Sequence, residues 1–139
     1  MVDYDKGSIN EDNFKKLRDQ FKGPIYVDSK KKELSIFKNS FVKINQKEFE
    51  ESKSLPKEDF LIVTLGDRGA KYKEKIFSIE SVEVMDVCGA GDTFLAALVF
   101  HHLTNGNLEH AIVFANKASA ITVRHRGTYA PTLKEIYET

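Results

Sequence analysis

Short apolar runs of strand length alternate along this chain with segments whose apolar residues recur at helical spacing, and this alternation limits the fold more than any other feature. "INEDNFKKLRDQFK" spaces Ile9, Phe14, Leu17 and Phe21 as one helical face, with Asn10 placed to cap its start and Gly23-Pro24 to stop it. "PIYVD" reads as a short buried strand, "FVKIN" as another, "QKEFEESK" as a short helix, and "DFLIVTLGDRG" as a strand and turn. "AKYKEKIFSIESVEVMDV" reads as hairpin-like strands, and two long helices are expected around residues 90–104 and 108–123. Alternating strands and helices predict an α/β fold with a mainly parallel sheet, to which the Lys- and Glu-rich stretch from Lys71 to Glu83 adds an antiparallel insertion or edge. "MVDYDKG" offers only Val2 before its turn residues and reads as the end of a strand.

The 139 residues suit a single domain, residues 1–139, with no repeat, low-complexity tract or linker to divide it. Because 21 basic residues balance 21 acidic ones, neither nucleic acid nor an anionic membrane is an expected partner. No apolar run approaches the roughly 18 residues of a membrane span, the N-terminus lacks the pattern of a secretion signal, and Cys88 is the sole cysteine. A reducing cytoplasm is the expected location.

The chemistry concentrates in "VMDVCGAGDTFLAAL". Gly89, Ala90 and Gly91 carry almost no side-chain bulk, and Phe94, Leu95, Leu98 and Leu103 then mark a core-facing helix. Unpaired backbone N–H groups and the positive end of the helix dipole make such a start a natural anion site. Read for structure alone, the same residues make a tight strand-to-helix turn with Asp92 as its N-cap. A Walker loop needs G-x-x-x-x-G-K-[ST], which is absent. A dinucleotide fingerprint needs a third glycine where Phe94 stands, and Asp92 would oppose a pyrophosphate with like charge. Phosphoryl transfer accounts for the aspartate: it needs donors around the migrating group and a carboxylate beside the attacking hydroxyl.

"DVCGAGDTF" resembles the C-terminal signature of the ribokinase-like (PfkB-type) carbohydrate kinase family, D-[TV]-x-G-A-G-D. In the same order along the chain, "KINQKEFE" resembles the family's N-x-x-E segment, "IVTLGDRGA" its T-x-G-x-x-G segment, and "FANKASAITVRHRGT" the helix beside the adenine with the turn Gly127-Thr128. "VDYDKG" and "YVDSK" resemble segments of heptose-7-phosphate kinases, which serve lipopolysaccharide precursor synthesis, with Ser29 in place of the expected proline.

The resemblance implies a ribokinase-like Rossmann-type three-layer sandwich, of which this chain supplies the C-terminal half without the lid. It implies an ATP-dependent phosphotransferase acting on a hydroxyl of a sugar or sugar phosphate, heptose 7-phosphate included, with ATP and Mg²⁺ as cofactors and K⁺ as a further candidate. Asp92 would accept the proton, with Gly89, Ala90 and Gly91 as the anion hole. Asn45, Thr64, Gly66, Gly69 and Asn116 would hold the nucleotide, Glu48 would hold Mg²⁺ through water, and Asp86 would sit at a monovalent-cation loop. The thiol of Cys88 is a poor potassium ligand, so backbone carbonyls would serve there instead. Sugar binding would then require a complementary N-terminal chain or a second copy in a homo-oligomer. The alternative is a non-catalytic nucleotide-binding or oligomerisation module. His101, His102, His110 and His125 lack an acid or cysteine partner at ligand spacing and predict no metal site.

Overall fold

The computed structural model describes residues Met1–Thr139. The strands are β1 (Val2–Asp3), β2 (Tyr26–Ser29), β3 (Phe41–Asn45), β4 (Leu61–Thr64), β5 (Ala70–Tyr72) and β6 (Lys75–Phe77). The helices are α1 (Glu11–Gln20), α2 (Gln46–Glu51), α3 (Ala90–Asn105), α4 (Leu108–Val123) and α5 (Leu133–Glu138). One sheet takes its strands in sequence order, β1-β2-β3-β4-β5-β6, and the first three pairings are parallel, with Val2 opposite Asp28, Val27 opposite Val42, and Ile44 opposite Val63. The two-residue connection Lys73-Glu74 leaves β5 and β6 no choice but to run antiparallel. The chain divides into two compact units.

The first unit is Met1–Leu65 with Lys71–Lys75. Its core gathers Phe14, Ile25, Val27, Leu34, Phe37, Val42, Ile44 and Val63, with Phe14 set edge-on against Phe37 at 5.0 Å between ring centres. Asn10 caps α1 as the sequence predicts, in a reciprocal box with Asn13. The helix ends at Gln20 with Phe21 as its C-cap, just before the Gly23-Pro24 stop, and both Leu17 and Phe21 stay exposed. Beyond the helix end the Arg18 guanidinium donates to the carbonyls of Phe21, Gly23 and Asn39.

The second unit is Gly66–Ala70 with Ile76–Thr139. Here α3 packs along α4, burying Phe94, Leu95, Ala97 and Leu98 on one helix and Ala111, Ile112, Ala115 and Ala118 on the other. Gly106, at φ 71°, ends α3, and the Asn107 side chain caps α4 by accepting from His110 N. The strand expected in "SVEVMDV" does not form. Alternating valines make a strand only beside a partner, and here the N–H groups of Met85 and Asp86 donate to the carbonyl of Val123 at the end of α4. Val84, Met85 and Val87 consequently stay exposed. No helix is long and apolar enough to cross a membrane.

Candidate functional site

In the first unit the parallel strands end together at Asp3, Ser29, Asn45 and Thr64, on the side of an α/β sheet where ligands bind. Asn45 and Glu48 are the two halves of a capping box. Asn45 Oδ1 accepts Glu48 N and Glu48 Oε2 accepts Asn45 N, both at 2.8 Å. Lys30 Nζ donates to the other carboxylate oxygen, Oε1, at 2.6 Å. That hydrogen bond, ahead of the opposing effect of partial burial, raises the Lys30 pKa. Thr64 Oγ1 reaches only the Ile44 carbonyl, at 3.4 Å.

Beneath this rim lies a polar layer in which sequence reasoning missed one member. Lys43 interrupts the apolar run "FVKIN" and is buried in β3, with its ammonium 3.0 Å from Asp28 Oδ2. Asp28, the last residue of the strand read in "PIYVD", is thus a buried strand residue paired with a lysine. A charged residue inside a buried strand pattern was the available signal, because such a charge requires a partner. Beside it Ser29 Oγ donates to Asp3 Oδ2 at 2.9 Å, and Lys31 bridges Asp3 and Asp5.

In the second unit the start of α3 is built around Gly89, which adopts φ 78° and is the N-cap. Asp92 is therefore the third residue of the helix rather than its cap, as the purely structural reading would have had it. A left-handed residue is needed to turn the chain into the helix, and a Cβ on Gly89 would lie 3.2 Å from Thr128 Cγ2. Asp92 is exposed, and its carboxylate makes no hydrogen bond or ion pair. Ala90 N donates back to Val87 O at 3.2 Å, so the free donor capacity of the first turn lies with its neighbours.

Two hydroxyls from α4 hold this turn: Ser119 Oγ donates to Ala90 O at 3.0 Å, and buried Thr122 lies 3.2 Å from Thr93 Oγ1 and 3.0 Å from Tyr129 O. Their sequence signal was weak, since small polar residues on an Ala-rich helix are common packing residues. Asp86 secures the preceding loop, accepting Cys88 N on Oδ1 and Gly127 N on Oδ2, both at 2.9 Å. These bonds, that of Cys88 first, lower its pKa. The Cys88 thiol is exposed and lies 3.7 Å from Thr128 Oγ1.

Gly69 and Asn116 converge on one backbone oxygen. Gly69 has φ 91°, and a Cβ there would stand 2.0 Å from the Phe77 carbonyl oxygen. Asn116, buried on α4, donates its Nδ2 to that same oxygen at 2.8 Å. Gly66, at φ 63°, accepts the N–H of Gly69 and has open space around it. No group of three or more histidine, cysteine or carboxylate side chains converges as a metal site.

The first-turn donors of α3 fit a phosphate, since N–H groups at a helix start carry positive potential. Glu48 fits a magnesium ion held through water: each of its oxygens keeps a second lone pair, and magnesium normally takes few protein carboxylates.

Residues 26–135 match the family described as pfkB family carbohydrate kinase. The bifunctional protein HldE of Nitratiruptor sp. is 34% identical to the chain over 159 residues, covering 99% of this chain and 34% of its own length. The corresponding protein of Campylobacter concisus is 30% identical, covering 98% of this chain and 34% of its own. The chain thus spans about a third of the length of these curated relatives. Among solved structures, the ribokinase of Thermotoga maritima superposes with a TM-score of 0.74 at 23% identity, over 99% of this chain and 55% of that one. The Arabidopsis thaliana ribokinase complexed with ribose and ATP gives 0.74 at 22% identity, over 94% and 51%. These likenesses show a ribokinase-like α/β fold with a mostly parallel sheet.

Proposed function

The chain belongs to the pfkB family of carbohydrate kinases, and on that premise we propose that it carries the nucleotide-binding and phosphoryl-transfer portion of an ATP-dependent sugar or sugar-phosphate kinase. Heptose 7-phosphate is the proposed acceptor, supported by the HldE relatives and by "VDYDKG" and "YVDSK". A complementary N-terminal portion or a second copy would complete sugar binding. The observation that carries the proposal is an exposed, unpaired carboxylate, Asp92, in the first turn of a helix whose glycine cap leaves backbone donors open.

In this reading Asp92 Oδ takes the proton of the acceptor hydroxyl as its oxygen bonds to the γ-phosphorus and the bond from that phosphorus to the departing ADP breaks. The N–H groups of the first turn, with Gly89 and Gly91, stabilise the charge on the transferring group. Ala90 serves mainly through its backbone hold on Val87 and Ser119. Bound Mg·ATP supplies the phosphoryl group and neutralises its charge, with Glu48 as the carboxylate that would hold the metal through water. Thr64, Gly66 and Gly69 would line the nucleotide, and Asn116 would act by fixing the Phe77 carbonyl. Asp86 would shape a monovalent-cation loop, and K⁺ there would rely on backbone carbonyls because both carboxylate oxygens already accept N–H donors.

Calorimetric titration of the chain with Mg·ATP, run beside NAD, tests the reading. Saturable binding of Mg·ATP alone is the expected result, whereas a folded chain that binds neither would refute a nucleotide-binding role. The second reading, an oligomerisation module, draws on β1, a two-residue edge strand whose Val2 is exposed, as is Tyr4 just after it. Concentration-dependent association without nucleotide binding would favour it.

A further inference from the structure

The first unit holds a second concavity, at the opposite end of its strands from Asn45 and Thr64. It lies where the chain enters β3 and β4, and has a volume of about 410 Å³, within the range of small-molecule sites. Leu55, Pro56 and Phe60 give it an apolar floor over the buried ring of Phe37. Lys38 and Lys57 stand at its rim, both exposed and neither in an ion pair, and no carboxylate lines it. Asp59, the acid nearest Phe60 in sequence, is engaged by Lys73 at 2.8 Å.

The walls are held in place before any ligand arrives. Leu34 N donates to Ser54 O at 3.1 Å and Ser35 Oγ to Ser54 Oγ at 2.9 Å, joining the two segments that face each other across the concavity. Arg18 Nη1 holds the carbonyl of Asn39, whose backbone is left-handed at φ 52°. Phe60 lies 5.2 Å from the ring of Phe41, which stacks on Tyr26 at the same distance. A rigid apolar floor beneath two uncompensated ammonium groups selects a ligand with an apolar body and an anionic head.

We propose that this concavity binds a small amphipathic anion, an aryl or alkyl phosphate monoester or carboxylate, with its body on Leu55 and Phe60 and its head between Lys38 and Lys57. Phenyl phosphate titrated into the ¹⁵N-labelled chain and followed by amide chemical shifts is the test. Saturable shifts are expected at Lys38, Asn39, Lys57 and Phe60, and the double variant Lys38→Gln/Lys57→Gln is expected to weaken binding about fivefold or more. Both lysines are exposed, so the variant keeps its fold. Phenylacetate in place of phenyl phosphate identifies the preferred head group, and binding of either one supports the site. Absence of saturable shifts at those amides overturns the proposal. So does equal affinity for uncharged benzyl alcohol, equal affinity for inorganic phosphate alone, or a double variant that binds as tightly as the parent.

Discussion

Asp86 and Gly127, 41 residues apart in sequence, are joined by a 2.9 Å hydrogen bond from the glycine N–H to the carboxylate. The other carboxylate oxygen accepts Cys88 N, so one side chain ties the loop before α3 to the turn after α4. Asp86→Ala is expected to release both amides, seen as faster hydrogen exchange at Cys88 and Gly127 while the centres of α3 and α4 stay protected. Unchanged exchange at Gly127 would show that the turn holds without this anchor.

Gly69 and Asn116 meet at the Phe77 carbonyl, and the two positions should fail for different reasons. Gly69→Ala forces a Cβ to 2.0 Å from that oxygen at a left-handed φ, with an expected loss of roughly 3 kcal/mol. Asn116→Ala leaves the buried oxygen without its donor, for about 1–3 kcal/mol. Urea titration of each variant measures both losses, and an Asn116→Ala midpoint equal to the parent's would deny the hydrogen bond its structural role.

The buried pair of Lys43 and Asp28 makes a third prediction. Lys43→Met strands the aspartate and should cost about 3–5 kcal/mol, whereas combining it with Asp28→Leu removes the unpaired charge and should restore most of that loss. Stabilities of the two single variants and the double variant form the cycle. Additive losses would show that the pair is not coupled.

Glu135 accepts from the backbone N–H and hydroxyl of Thr132 and from the Tyr129 hydroxyl, and the Thr132 bonds first of all pull its pKa from 4.5 to about 2. A carboxylate depressed on folding stabilises the native state fully above its unfolded value. That contribution is lost as pH falls from about 4.5 through about 2. The cap of α5 should therefore loosen across this window in the parent, and Glu135→Gln should flatten the dependence. Amide exchange of Ile136 against pH reads it.

Asp92→Asn addresses the proposed chemistry. Exposed and unpaired, the side chain can lose its charge without a folding cost, so stability should hold and Mg·ATP affinity should change little. In a kinase assay completed with an N-terminal portion from a relative, turnover should fall by about a hundredfold or more. Near-parental turnover would place the proton acceptor elsewhere.

The legible parts of the chain were those governed by neighbours in sequence. The N-cap of α1 at Asn10, the helices 90–104 and 108–123, and the parallel strands over "PIYVD" and "FVKIN" follow from capping chemistry and periodicity, and the structure repeats them within a residue or two. The misread parts depended on partners far along the chain. "SVEVMDV" had the alternation of a strand, but the N–H groups of Met85 and Asp86 went to Val123, and Asp28 and Lys43 met as a buried ion pair across adjacent strands.

The sequence by itself determined the α/β alternation, the glycine junction before α3 and the family to which the chain belongs, because backbone freedom, small size and periodicity are properties of single residues and short spacings. Only the tertiary structure decided that Gly89 rather than Asp92 caps α3, that Asn45 and Glu48 close a box on one another beside Lys30, and that Lys43 neutralises Asp28. Each of those outcomes is a choice among hydrogen-bonding partners. That choice is made by which donors and acceptors folding brings within about 3 Å and shields from water.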